Sequence, residues 1–196
     1  TERWPCPPQP TRPRRLPELP GLPFPARRPA TWRVRGRVLD TATRPLVMGV
    51  LNVTPDSFSG DGLGGDVAAA VAQGKRFAAE GADILDVGGE STRPDAAPVS
   101  AEEEVRRVIP VIERLAAEVT VPVSVDTYRY EVARRALSAG ARMINDIWGL
   151  GRDPRLADLA AVHGVPIVLM SNQRDGKWLD IVPEVIASLR RSIALA

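Results

Sequence analysis

Residues 45–66, "PLVMGVLNVTPDSFSGDGLGGD", start as an apolar, β-rich run and turn polar and glycine-rich at Asn52. A connection from strand to helix needs roughly two to six residues, and this one is about twice that. It carries Asn52, Thr54, Asp56, Ser57 and Ser59, all hydrogen-bonding side chains placed just past a buried strand. Such a loop is built to bind something.

The same alternation continues downstream. Asp66 to Glu80 has helical apolar spacing, and "ADILDVGG" (82–89) is the next strand. Ser100 and Glu103 form an S-x-x-E capping signal for a helix to about Glu118. "VPVSVD" (121–126), a helix over 129–138, "RMINDI" (142–147), a helix around Pro154–His163, "VPIVLM" (165–170) and a helix from Asp180 complete the series. Strict β-then-α order implies parallel strands with right-handed crossovers, and continuously apolar strands must be covered on both faces.

A doubly wound sheet and a (β/α)8 TIM barrel both fit this alternation. The polar strand ends decide between them: Asn52, Asp86, Asp126 and Asn145 each close a different strand. In a barrel those ends converge on one mouth, whereas an open sheet concentrates ligand contacts at a single switch point. No G-x-G-x-x-G follows the first strand, so the barrel is the expected fold, with about five βα units in this chain.

The 196 residues, 44% hydrophobic, suffice for one domain with a real core. No apolar run is long enough to span a membrane, and no secretory signal opens the chain. Residues 1–44 carry ten Arg against Glu2, Glu18 and Asp40, while residues 45–196 carry 16 basic and 21 acidic groups. The body therefore has no nucleic-acid footprint. Ten of the 19 prolines lie in residues 1–30, which read as a disordered or polyproline-II leader. Residues 31–44 read as a short hairpin segment, and 45–196 as the partial barrel. With one cysteine, Cys6, the chain cannot form an internal disulfide, which favours the cytoplasm. With Thr at position 1, a fragment or processed product is expected.

Asp126 ends an apolar strand, where a carboxylate is costly unless paired. It is either a turn former or an acceptor for two adjacent N–H groups of a ligand, whose amidine-like edge two carboxylate oxygens match. Asn145 offers both a donor and an acceptor to a heterocycle. Asp86 reads as a structural cap for the loop after its strand. In "GGESTRPDAAPVS" (88–100), Thr92 and Arg93 stand at a loop tip, where Arg93 is either a solvated charge or a partner for an anionic substrate. Asn52 with its neighbouring oxygens suits a Mg²⁺–phosphate group, and no zinc spacing exists. Met48, Met143 and Met170 read as barrel core, and His163 as a helix C-terminal cap.

"MGVLNVTPDSFSGDG", "DVGGESTRP", "VSVDT" and "INDI", in this order, resemble dihydropteroate synthases of folate biosynthesis from about Trp32 to the C-terminus. Related pterin-binding methyltransferases share the Asp and Asn strand ends but lack the "NVTPDSFS" and "GGESTRP" loops; a non-catalytic remnant is the third alternative. The resemblance implies joining of a dihydropterinylmethyl diphosphate to p-aminobenzoate with release of pyrophosphate. It implies Mg²⁺ at Asn52, pterin held by Asp126 and Asn145 against Ile147, and Thr92 and Arg93 near the pyrophosphate or arriving amine. It also implies Phe58 and Pro94 around p-aminobenzoate, and a homodimer of the full-length chain. Strands six to eight, with the family's later aspartate, lysine segment and Arg-x-His, are absent from these residues, so the isolated chain is expected to be inactive. "LMSNQRDG" (169–176) places Ser171 where the family often has His.

Overall fold

Beyond Pro45, each apolar run is a parallel strand and each amphipathic run is the helix that follows it. The computed structural model describes residues 31–34, 37–41, 44–54, 67–91, 98–172 and 180–196. Phe58, Thr92, Arg93, Pro94 and the proline-rich leader lie outside these.

The elements run β1 (Thr31–Val34), β2 (Arg37–Asp40), β3 (Met48–Asn52), α1 (Val67–Ala79), β4 (Ile84–Gly88), α2 (Ala101–Glu118) and β5 (Val123–Asp126). Then come α3 (Tyr130–Ser138), β6 (Met143–Asp146), α4 (Arg155–His163), β7 (Ile167–Leu169) and α5 (Ile181–Leu195). β3 to β7 form one parallel sheet in consecutive order, without the reversal that marks a doubly wound fold. This is the strand order of a (β/α) barrel, and five of its eight strands are here.

The period-two alternation of the strands sorts their side chains. Leu51, Leu85, Val87, Val123, Val125 and Ile144 join the helical residues Val71, Val108, Ile112, Leu115 and Val132 in the main core. Gly74 lets α1 sit close, because a Cβ there would meet Leu115 at 2.7 Å and Leu51 at 3.0 Å. On the other face, Met48, Ile84 and Met143 stand at the first positions of their strands, and Val34 of β1 packs on them. β1 pairs antiparallel with β2, and through Val34 this two-stranded unit packs on the N-terminal end of the sheet.

Ser100 caps α2 as expected, accepting from the Glu103 amide at 3.1 Å, while the Glu103 carboxylate pairs with Arg106 and Arg107. Two local expectations are corrected. The turn after α4 is made by Gly164 in the left-handed region at φ 60°, and His163 is merely the last helical residue. Met143 is buried, but Met170 is 43% exposed and not core, because it follows β7, an edge of the sheet.

Candidate functional site

At the carboxyl ends of the strands, one register row reads Asn52, Gly88, Asp126, Asn145, Val168. Neighbouring strands lie about 4.8 Å apart, so Asp126 and Asn145 are adjacent while Asn52 stands about 10 Å from Asp126. Gly88 keeps the gap open: a Cβ there would touch Asp126, 3.4 Å from its Oδ2. Three of the residues singled out in the sequence thus share one line across the mouth.

Asp126 is half-buried, and its carboxylate accepts no hydrogen bond among the described residues. Burial pushes its carboxyl up to about 7, and the negative charges of Asp86, Glu104, Asp146 and Glu90 act in the same direction. Burial and like charges disfavour its ionised form, which hydrogen-bond donors from a ligand would restore. Asn52 is exposed at the sheet edge.

Asp86 does not cap the following loop. It is 2% exposed, one row below the mouth beside Ser124, and accepts from the Ser124 hydroxyl and from Asn145 Nδ2 at 2.9 Å. The cause is strand alternation, which turns Asp86 to the same face as Asp126 and away from the helices. Burial raises its carboxyl above the usual range, and the two donors pull it back.

The turn after β6 is organised by Asp146, whose carboxylate accepts from the Trp148 amide at 2.8 Å and the Leu150 amide at 2.6 Å. Those bonds hold Leu150 in the left-handed region at φ 66°, a strained conformation for leucine. Ile147, half-buried, is fixed between these anchors beside Asn145. Trp148 meets Tyr128 edge-on at 6.3 Å, with Arg152 over the indole and Arg129 over the phenol, forming a ridge beside Asp126 and Asn145 in the chain.

A second network holds the loop after β4. The Arg129 guanidinium donates to Glu90, to Glu104 and to the Val99 carbonyl at 2.8 Å. Arg107 donates to the Gly89 carbonyl at 2.9 Å. One guanidinium therefore ties both shoulders of the segment that carries Thr92, Arg93 and Pro94. Glu104 is 1% exposed, and its burial raises its carboxyl despite Thr127 and Arg129. Sequence reasoning missed this pair, although a signal exists: Glu104 lies on the apolar stripe of Val108, Val111 and Leu115, where a carboxylate needs a partner. Ser171 Oγ, two residues past β7, is buried without a hydrogen-bond partner among the described residues. Among the described residues no group of three or more His, Cys, Asp or Glu could hold a metal, and no helix is long and apolar enough to cross a membrane.

Parallel strands in consecutive order, with polar side chains aligned at their carboxyl ends, define a barrel of the enzyme type with its site at that mouth. The pterin binding enzyme family model matches residues 48–196, and the chain belongs to that family. It is 51% identical over 153 residues to the dihydropteroate synthase of Bacillus subtilis, covering 78% of this chain and 54% of that protein. A Xanthomonas albilineans dihydropteroate synthase solved with 4-aminobenzoic acid superposes with a TM-score of 0.75 at 49% identity, over 84% of this chain and 62% of that one. A structure of the same enzyme in complex with 7,8-dihydropteroate gives a TM-score of 0.71 at 46% identity, over 85% and 61%. The chain thus spans somewhat over half the length of these relatives.

Proposed function

We propose that the protein carrying these residues is a dihydropteroate synthase, joining (7,8-dihydropterin-6-yl)methyl diphosphate to p-aminobenzoate with release of pyrophosphate. The observation that carries this reading is the Asp126 carboxylate, without a hydrogen-bond partner among the described residues, beside Asn145 in one register row, with Asn52 across Gly88. The 2-aminopyrimidinone edge of a pterin presents adjacent N–H donors that two carboxylate oxygens match. Ile147, next to Asn145, would wall the ring.

With the heterocycle held at Asp126 and Asn145, its methylene and diphosphate extend along the row toward Asn52. The amine lone pair of p-aminobenzoate forms the C–N bond while the methylene–oxygen bond breaks, pyrophosphate departs with that bonding pair, and the amine loses a proton. The electron-rich pterin stabilises the carbon as it becomes cationic. Arg93 and Thr92, on the loop whose shoulders Arg129 ties, would meet the negative charge of the departing group. Phe58 and Pro94 would surround p-aminobenzoate. Asn52 suits Mg²⁺, being exposed at the mouth with a neutral oxygen donor and room for retained waters. Bound there, Mg²⁺ would neutralise charge on the diphosphate. A cytoplasmic location, which rests on the lone Cys6, and a homodimer of the full-length protein, which rests on the resemblance, belong to the same proposal.

The test is pyrophosphate release by the full-length protein with both substrates and Mg²⁺. Release that requires both substrates is expected. No release, or release independent of p-aminobenzoate, would overturn the assignment.

A further inference from the structure

Asp86 is too deeply buried to touch a ligand, yet it lies directly under the two residues that would hold one. Its carboxylate has two protein donors, the Ser124 hydroxyl and Asn145 Nδ2. With the Ser124 hydroxyl and Asn145 Nδ2 both donating to it, the carboxylate acts as acceptor, and in its ionised form it can face only the NH₂ side of the Asn145 amide. The amide is thereby held in one of its two flips. Its Oδ1 has no partner among the described residues, and the neighbouring Asp126 carboxylate has none either.

We infer that Asp86 is a positioning residue that sets the hydrogen-bond polarity of the site: by holding the Asn145 amide NH₂-inward, it leaves acceptors side by side and selects ligands with adjacent N–H donors. This rests on the pterin reading above and deepens it by naming what enforces the preference. Asp86 also adds negative charge beside Asp126, together with Glu90 after β4, Glu104 on α2 and Asp146 on β6. Asp86 therefore acts on both grips at once, through a hydrogen bond on one and through charge on the other.

The discriminating variant is Asp86→Asn, which keeps the shape but can donate to Asn145 Oδ1 and so permits the opposite flip. In the full-length protein, calorimetry with 6-hydroxymethylpterin should show affinity falling roughly ten-fold or more. Affinity for the 2-oxo analogue, which lacks the amino donors, should fall less, so that discrimination between the two shrinks. The ¹³C titration of the Asp126 carboxyl should move to lower pH by roughly one unit, since a like charge is gone. A merely structural role would weaken both ligands equally and leave the titration in place, and that result overturns the inference.

Two arms keep the test decisive. Absence of pterin binding by the wild type would refute the functional reading, while the Asp126 titration would still judge Asp86. Where Asp86→Asn does not fold, the wild-type Asn145 side-chain amide decides: slow proton exchange supports the inference, and exchange as fast as an exposed asparagine overturns it.

Discussion

The middle of the sheet and its two edges are made of similar residues and behave differently. Every position of β4 is buried, whereas β3 is buried only at Leu51 and β7 nowhere. Val50 on β3 is 51% exposed, although its register partner Asp86, a carboxylate, is almost fully enclosed. Burial here is set by the number of neighbouring strands and not by hydrophobicity. The proposed site follows the same division. Asp126 and Asn145 stand on interior strands with buried support, and Asn52 stands exposed on an edge strand.

The comparison would be broken most visibly at the buried ion pair. Arg129→Met leaves Glu104 charged and unpaired inside the fold and should cost about 3–5 kcal/mol. Arg134→Ala removes an exposed, solvent-screened pair with Glu131 and should cost far less. Urea unfolding of the full-length protein compares them, and equal costs would deny any special role to the network around the loop after β4. Within the sheet, Leu85→Ala should cost about 2–5 kcal/mol, while Val50→Ala on the edge should stay within about 0.5 kcal/mol. If closure of the barrel in the full-length protein buries Val50, its cost rises, and the difference measures what the added strands contribute.

The site itself sharpens the contrast. Asn52→Ala should weaken Mg²⁺-dependent diphosphate binding roughly ten-fold and leave binding of a free pterin intact. Parallel loss of both would make Asn52 a folding residue. A separate, pH-dependent effect concerns Asp126 without ligand. Its carboxyl titrates at about 7 in the fold against an ordinary 3.8, so the folded state holds the extra proton between those values. Stability then falls as pH rises through that window and levels off above it. Asp126→Asn abolishes this penalty and should melt clearly higher than wild type at pH 8, by on the order of ten degrees, with the difference vanishing below pH 4.

The fold was legible because its signals are local. Apolar runs alternate with helical periodicity, and polar residues stand at successive strand ends, which distinguishes a barrel from an open sheet before any coordinates. That Asn52, Asp126 and Asn145 stand at strand ends on one side of the sheet was legible for the same reason. Asp86 was misread because its position, two residues before the end of β4, places it on the inner face one row down, and only the register with Ser124 reveals that. Arg129 and Glu104 were invisible as a pair: they lie 25 residues apart on different elements, and nothing in spacing brings them together. Met170 looked apolar enough for core, but exposure depends on which strands lie beside it. Long-range pairing decides what sequence patterns leave open.

The central claim is that Asp126 is the acceptor for a pterin's adjacent N–H groups. Calorimetric titration of 6-hydroxymethylpterin into the full-length protein and its Asp126→Ala variant at pH 8 tests it most directly. The variant should remain folded and lose roughly one to two decades of affinity, as for loss of a charge-assisted pair. Unchanged affinity in a folded variant would contradict the account.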